Sequence, residues 1–224
     1  MANAKPYARR NARRLPAGLL VLLVCAAVYP TIINEDRKTF QIGGMNMKIV
    51  VLEGSPNLHG SSNMLADSFI RGAEEAGNAV KVIDAAHADI HPCTGCIRCG
   101  YEGPCVQKDE MEKIRRDILD ADMMVFVTPL YYYGMSAQLK ILIDRFCAFN
   151  SSIQRRKMKS ALLTAAWNSD RWTFDALEAH YKTLVHYLNL KDMGMVLGKG
   201  CGTPSMTQRS KYPELAYELG KKLK

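Results

Sequence analysis

From residue 47 onward, two spacings of hydrophobic positions alternate along the chain. Short apolar runs predict strands over residues 48–53, 79–83, 122–128, 160–166 and 193–197. Apolar positions three or four residues apart predict helices over residues 64–76, 109–121, 137–149, 174–188 and 213–223. Because strands and helices alternate, and the third run is apolar throughout its centre, we predict an α/β fold with a doubly wound, five-stranded parallel sheet. With right-handed crossovers, two strand orders are common for such a sheet, and the pattern of hydrophobic positions does not choose between them.

The loop after the first predicted strand reads Gly-Ser-Pro-Asn-Leu-His-Gly-Ser-Ser-Asn over residues 54–63 and leads into the first helix. A helix N-terminus presents unpaired backbone N–H groups and a positive partial charge, which together favour an anion. Gly54 and Gly60 allow close approach of the backbone. The loop side chains that supply further donors are Ser55, Ser61, Ser62 and Asn63.

The same loop argues against several nucleotides. It contains no Lys or Arg, and it departs from the Gly-x4-Gly-Lys-Ser/Thr pattern that binds ATP or GTP. It also lacks the Gly-x-Gly-x-x-Gly fingerprint of an ordinary dinucleotide site. We therefore expect a terminal monophosphate bound by neutral donors, and the simpler alternative is a turn capped by Ser or Asn.

A second candidate stretch, Pro-Leu-Tyr-Tyr-Tyr-Gly-Met-Ser, occupies residues 129–136. It follows the third predicted strand, and open α/β sheets bind ligands at the carboxyl ends of their strands. Three consecutive tyrosines cannot all face the core, so at least one should present an aromatic wall to a planar ligand. The alternative is a connection with one tyrosine buried and two on the surface.

Four of the seven cysteines are crowded together with the spacing Cys-x2-Cys-x2-Cys-x5-Cys: Cys93, Cys96, Cys99 and Cys105. Clustered cysteines in a chain of this size favour a metal or redox site in a reducing compartment. The spacing suits a [4Fe–4S] cluster better than a structural zinc, and free thiols or a regulatory disulfide are the alternative. We expect Cys147 to be a buried apolar residue and Cys201 to be a loop thiol.

Taken together and in order, these motifs resemble the NAD(P)H-dependent FMN reductase and iron–sulfur flavoprotein group of the flavodoxin-like superfamily. The resemblance covers residues 47–223 and implies the strand order 2-1-3-4-5. It implies that the FMN phosphate is held by Ser55, Asn57, Ser61, Ser62 and Asn63. It also implies that the flavin ring is lined by Pro129, Leu130, Tyr131, Tyr132, Tyr133 and Gly134 and, from the other side, by Trp167 and Asn168.

By this resemblance, NAD(P)H passes a hydride to bound FMN, and the flavin passes electrons to a quinone, flavin or other small acceptor, with no catalytic side chain required. In the alternative function, a [4Fe–4S] cluster on the four clustered cysteines exchanges electrons with ferredoxin. A non-enzymatic flavin-binding protein is a third hypothesis. The resemblance further implies a homodimer or homotetramer, and flavin together with clustered thiols predicts a cytoplasmic location.

The first 46 residues differ from the rest of the chain. They carry seven Lys/Arg and two Asp/Glu, or +5 of the net charge of +8, which leaves +3 for the remainder and argues against nucleic-acid binding. Four arginines precede an apolar run over residues 17–29, as in a signal peptide or short membrane anchor. The alternative is a mis-assigned start before Met47. We expect residues 47–224 to form the FMN-binding domain, with a membrane contact only if residues 1–46 are retained.

Overall fold

The structure is a computed structural model that describes residues 46–223. The prediction for the leader, residues 1–46, therefore lies outside the described residues, apart from Asn46. Among the helices of the described part, none combines the length and the apolar character that a membrane crossing requires.

Within the described residues, the sheet contains five parallel strands and one short antiparallel strand. These are β1 (Lys48–Glu53), β2 (Ala79–Asp84), β3 (Met123–Tyr131), β4 (Gly134–Met135), β5 (Lys159–Ala165) and β6 (Lys191–Gly198). The parallel strands lie in the order β2-β1-β3-β5-β6, while β4 pairs only with the end of β3. Without β4 this is the order 2-1-3-4-5, so the prediction of fold class and strand order is confirmed. The winding changes direction between β1 and β3, which is where such sheets bind ligands.

Helices cover both faces of the sheet. They are α1 (Ser61–Glu75), α2 (Met111–Asp120), α3 (Ala137–Asp144), α4 (Asn150–Arg156), α5 (Asp175–Tyr187), α6 (Pro204–Gln208) and α7 (Tyr212–Lys221). A 3₁₀ segment, Arg145–Phe149, joins α3 to α4.

Alternate residues of the central strands enter two separate cores, because successive side chains of a strand point to opposite faces. Ile49 and Val51 belong to the core formed with α1 and α7. Val50 and Leu52 belong to the core formed with α2, α3 and α5. The centre of β3 contributes to both cores, which explains why its sequence is apolar at consecutive positions.

Besides shifts of one to three residues at other element ends, the structure departs from the predicted elements in three regions. The helix expected over residues 137–149 ends at Asp144 and continues as the 3₁₀ segment and α4, and neither α4 nor α6 was predicted. β3 extends to Tyr131 and folds back as β4 through Tyr132 and Tyr133, whose φ angles are 45° and 63°. A two-residue hairpin with positive φ at both positions is a type I′ turn, which usually uses Asn or Gly, so Tyr-Tyr carries no local signal for this turn.

Glycines allow α1 and α7 to touch along their backbones. A Cβ on Gly72 would collide with the carbonyl oxygen of Tyr217, and a Cβ on Gly220 would collide with that of Phe69 and lie 2.8 Å from the amide nitrogen of Ala73. The obstacles are backbone atoms, which cannot rotate away as a side chain does. The two helices must therefore move apart if either glycine gains a side chain.

We predict that Gly220→Ala lowers the free energy of unfolding by about 1–3 kcal/mol, the usual cost of overpacking, although alanine is the better helix former. Urea unfolding followed by circular dichroism measures the change. Leu215→Ala, at an exposed position of the same helix, is the control and should change stability by about 0.5 kcal/mol or less. Equal stability of Gly220→Ala and the wild type would contradict this account of the helix contact.

Candidate functional site

The loops that follow β1, β3, β5 and β6 meet at the carboxyl edge of the sheet, around a cavity of about 360 Å³. The predicted site residues that line it are Ser55, Asn57, Ser61, Ser62, Pro129, Leu130, Tyr131 and Trp167. The structure does not place the other predicted cofactor residues on this cavity: Asn63, Tyr132, Tyr133, Gly134 and Asn168. Three separate stretches of sequence are thus brought to one cavity.

Gly60, from which close backbone approach is expected, also lines the cavity. The lining residues that the sequence did not indicate are Ala165, Ala166, Cys201, Gly202 and Pro204. Ala165 ends β5 and Ala166 follows it, so the rule that ligands bind at strand carboxyl ends could have identified this pair. The loop after β6 has no comparable residue pattern. Cys201 does lie in a loop, as expected, but it is 1% exposed and packs into the core on the α1 side.

The first loop is a compact turn closed by its own hydrogen bonds. The Ser55 hydroxyl donates to the Asn57 carbonyl oxygen over 3.1 Å, and the Asn57 amide donates back to the Ser55 Oγ over 3.2 Å. The Gly60 amide donates to the same Asn57 carbonyl over 2.9 Å. These bonds curl residues 55–60 toward the start of α1 and leave its first turn facing the cavity.

The start of α1 has donors without acceptors. Gly60 occupies the N-cap position and has no side chain to cap the helix, and no acidic residue lies in the first turn. The first backbone N–H groups of a helix have no partner inside the helix. The Ser61 Oγ is buried and has no hydrogen-bond partner among the described residues. An anion with several acceptor oxygens, such as a phosphate monoester, fits this set of neutral donors.

A close approach joins the first loop to the second candidate stretch. The Ser136 hydroxyl donates to the Gly54 carbonyl oxygen over 2.6 Å and accepts from the Leu139 amide at 3.3 Å, so it also caps α3. A Cβ on Gly54 would lie 2.5 Å from the Leu139 Cβ and 2.7 Å from the Ser136 Oγ. Only glycine permits this distance between the two loops.

The three tyrosines occupy the β3–β4 hairpin, and none of them enters the core. Tyr131 is 49% exposed and lines the cavity, whereas Tyr132 is fully exposed at the turn. Tyr133 packs against Trp172 with ring centroids 5.0 Å apart. Of the three tyrosines, Tyr131 is therefore the one that lines the cavity, where at least one was expected. Tyr132 and Tyr133 form an aromatic surface beside it.

Trp167 is the second aromatic side chain that lines the cavity. It is 70% exposed and packs against Gly202, where a Cβ would collide with the indole ring. Asn168 instead stabilises its own loop, since its Oδ1 accepts from the Asp170 amide at 3.1 Å and its carbonyl accepts from the Gly200 amide at 3.2 Å. The cavity is thus lined by two aromatic side chains and by hydrogen-bond donors from the start of α1.

Asn63 is buried behind the loop and contacts Glu53 at the end of β1. Its side-chain amide donates to the Glu53 Oε2 over 3.2 Å and to the Leu58 carbonyl over 3.4 Å. Burial, and then the nearby carboxylates of Asp67 and Asp84, raise the pKa of Glu53 from 4.5 to about 7. Asn63 therefore supports the loop from behind, next to a carboxyl group that titrates near neutral pH.

The predicted cysteine site is a separate pocket of about 270 Å³, located in the long connection after β2 and beside the 3₁₀ segment. Its thiols are Cys93, Cys96, Cys99, Cys105 and also Cys147. Cys147 was expected to be a buried apolar residue, but it is partly exposed and faces the other thiols. Burial, followed by the charge and hydrogen bond of the Cys99 thiol, raises the pKa of Cys147 to about 11.

A buried ion pair lies beside this pocket, and one of its partners, Arg145, lines it. The Arg145 guanidinium pairs bidentately with Asp109, at 2.5 and 3.1 Å, and also donates to the His91 carbonyl over 2.8 Å. Both side chains are almost completely buried. Burial alone would raise the pKa of Asp109, but hydrogen bonds from Arg145 and from the His91 and Met111 amides lower it to about 2. The Arg145 Nε is buried without a partner among the described residues, and the residue lines the pocket.

The donor chemistry of this pocket suits an iron–sulfur cluster, because the four thiols of the motif line it together with the cationic side chain of Arg145. The thiols of the described residues are not, however, gathered as a ready set of three or more metal ligands. Cys96 faces solvent, where hydrogen bonds with Arg98 and Thr94 lower the pKa of its thiol. The thiols therefore share a pocket, while their convergence on a cluster would require rearrangement of the loop.

Comparison with known proteins adds independent findings. A family model described as NADPH-dependent FMN reductase matches residues 47–198. An iron–sulfur flavoprotein of Methanocaldococcus jannaschii is 30% identical over 141 residues, which are 62% of this chain and 73% of that protein. A Bacillus subtilis protein, provisionally named an NAD(P)H-dependent FMN-containing oxidoreductase, is 27% identical over 167 residues, 69% of this chain and 86% of the relative. The chain spans about half the length of several other curated relatives.

Among solved structures, the NAD(P)H:quinone oxidoreductase from Methanothermobacter marburgensis is similar with a TM-score of 0.65. The match has 17% sequence identity and covers 79% of this chain and 95% of that one. At this identity the likeness concerns the fold alone, and it agrees with the doubly wound sheet described above.

The raised pKa of Glu53 makes the stability of the protein depend on pH. The Glu53 carboxyl stays protonated to a higher pH in the folded state than in the unfolded chain. The free energy of unfolding therefore falls as the pH rises from about 4.5 through 7, where Glu53 must ionise in its buried position. We predict that Glu53→Gln gains stability relative to the wild type over this range and keeps the gain above it. Urea unfolding between pH 5 and 8.5 measures the difference. Glu74→Gln, at an exposed position of α1, controls for the loss of one negative charge, and parallel curves for Glu53→Gln and the wild type would contradict the prediction.

Proposed function

Because the chain belongs to the NADPH-dependent FMN reductase family, we propose that it binds FMN at the carboxyl-edge cavity and uses it to pass electrons from NAD(P)H to a quinone, a free flavin or another small acceptor. Membership of the family identifies the chain as an oxidoreductase with FMN as its cofactor. The observation that supports this site is the uncapped start of α1 with the unpaired Ser61 hydroxyl, at one end of a cavity with aromatic walls.

The phosphate of FMN would lie at the start of α1. In this proposal the hydroxyls of Ser61 and Ser62 and the first-turn amides donate to phosphate oxygens, while Ser55 and Asn57 shape the turn beneath them. Asn63 acts indirectly, because its amide is already hydrogen-bonded to Glu53 and Leu58. Charge neutralisation thus comes from the helix and not from a Lys or Arg in the loop.

The flavin ring would lie between the two aromatic side chains of the cavity. In this proposal Pro129, Leu130 and Tyr131 contact the ring from one side and Trp167 contacts it from the other, and all four residues line the cavity. Tyr132, Tyr133 and Gly134 stand outside the cavity, so we assign them to its rim. Bound FMN supplies the hydride chemistry, and the chain binds the phosphate, orients the ring and limits the access of water. No described side chain has to act as an acid or base.

A second candidate function is that of an iron–sulfur flavoprotein, in which a [4Fe–4S] cluster held by Cys93, Cys96, Cys99 and Cys105 exchanges single electrons with ferredoxin. The shared thiol pocket with its unpaired Arg145 Nε supports this candidate, as does the similarity to a protein named as an iron–sulfur flavoprotein. The first candidate needs only the cavity at the sheet edge, whereas the second needs the thiol pocket as well.

We also propose that the protein is a cytoplasmic homodimer or homotetramer. The exposed aromatic surface formed by Tyr132, Tyr133 and Trp172 supports the oligomer, because large aromatic side chains are enriched in protein interfaces. Light scattering of the FMN-loaded protein tests the oligomeric state.

We predict that Ser61→Ala weakens FMN binding roughly 10- to 100-fold, because a hydrogen bond to a charged group contributes about 1.5–3 kcal/mol. Quenching of flavin fluorescence on titration with the protein measures the dissociation constant. Ser68→Ala is the matched control, since Ser68 lies in the same helix and donates only to the Met64 carbonyl. Unchanged affinity in Ser61→Ala would remove this serine from the phosphate site.

Two measurements separate the candidate functions. We predict that the FMN-loaded protein oxidises NADH or NADPH in the presence of a quinone, flavin or dye acceptor, whether or not it contains iron. Failure with every donor and acceptor would refute the first candidate. Iron and sulfide analysis after anaerobic purification decides the second, which is excluded if the protein contains no iron and shows only flavin absorbance.

A further inference from the structure

Cys147 lies in the thiol pocket although it is not part of the clustered motif. It is carried by the 3₁₀ segment Arg145–Phe149, between the buried residues Phe146 and Ala148, so its backbone is held by the core. Its side chain faces the same pocket as Cys99, and the Cys99 Sγ lies 3.9 Å from the Cys147 carbonyl oxygen. Two thiols that are 48 residues apart in sequence therefore meet through the fold.

The turn that carries Cys99 is tethered to the same region. It is closed by the Gly103 amide, which donates to the Cys99 carbonyl over 2.7 Å. Glu102, in this turn, accepts a bidentate pair of hydrogen bonds from Arg155 of α4, each 3.1 Å long. Since α4 directly follows the segment with Cys147, this ion pair positions Cys99 opposite Cys147. The pair is exposed, so it guides the turn without fixing it rigidly.

The other motif thiols are less well placed to pair with Cys147. Cys96 faces solvent. The Cys93 sulfur accepts from the Gly95 amide within its own turn. Cys105 lines the pocket and interacts with the Arg145 guanidinium. Cys99 is the motif thiol whose sulfur contacts the residue Cys147 itself.

We propose that Cys99 and Cys147 form a reversible disulfide when the pocket holds no iron, with a hydroperoxide as the oxidant. The proposal goes beyond the proposed function and requires neither hydride transfer nor a cluster. A disulfide here would withdraw Cys99 from the motif, so that the pocket could hold either the disulfide or a four-thiolate cluster but not both.

The proposed reaction is balanced with one hydroperoxide. The sulfur of one cysteine attacks the peroxide, so that an S–O bond forms, the O–O bond breaks, and water or an alcohol leaves with one proton. The second thiol attacks the resulting sulfenic acid, so that the S–S bond forms, the S–O bond breaks, and a second water leaves. The two cysteines together lose two electrons and two protons, which the hydroperoxide accepts. The turn with Cys99 must shift to close the bond, and its exposed position allows this.

The test uses the full-length, FMN-loaded protein, reduced and treated with a chelator to remove iron. After addition of one equivalent of hydrogen peroxide, remaining thiols are alkylated and the protein is digested with trypsin. We expect peptide 99–108 linked to peptide 146–155, and the link should disappear on reduction. Because Cys105 shares the first peptide, Cys105→Ser must retain the link. A wild-type protein in which Cys147 remains fully alkylated would overturn the proposal.

Matched variants make the assignment specific. Cys147→Ser should abolish the link while leaving the circular dichroism spectrum unchanged, and Cys96→Ser should preserve the link. Arg155→Ala should slow its formation, because the turn with Cys99 loses its tether to α4. If Cys99 instead pairs with Cys93, Cys96 or Cys105 in the wild type, the assignment of Cys147 is wrong.

Discussion

The structure of the carboxyl-edge site depends on one close approach between two loops. The Gly54 carbonyl accepts from the Ser136 hydroxyl, and the absence of a Cβ on Gly54 lets α3 pack directly against the first loop. Because Ser136 also caps α3, the same hydroxyl starts a helix and joins the β1 loop to the β3 hairpin. The donors at the start of α1 and the aromatic wall at Tyr131 are thereby held on one cavity.

The chemistry of this cavity follows from neutral groups on rigid elements. Dipoles and hydroxyls at the start of α1 favour an anion without placing a permanent positive charge in the loop. Walls formed by Tyr131 and Trp167 suit a planar ring, and their partial exposure leaves room for an electron donor or acceptor to approach. A family of flavin reductases needs this combination, because the cofactor performs the chemistry and the protein positions it.

The thiol pocket depends on a different interaction, the buried pair of Arg145 and Asp109. Removing one partner of such a pair leaves an uncompensated buried charge and costs about 3–5 kcal/mol. This pair joins the connection after β2 to the first residue of the 3₁₀ segment, and so it brings the clustered cysteines to the segment that carries Cys147. The two sites are thus built by separate contacts and can be tested separately.

The sequence by itself determined the fold class, the strand order through family resemblance, and the loops at which the cavity forms, because hydrophobic period and strand–loop–helix order are local properties. It did not show the Tyr-Tyr hairpin turn, the role of Asn63 behind the loop, or the contribution of the β6 loop to the cavity. Nor did it place Cys147 beside Cys99. Only tertiary structure decides these features, because each depends on contacts between segments that are distant in the chain or on a backbone conformation that the local residues do not favour.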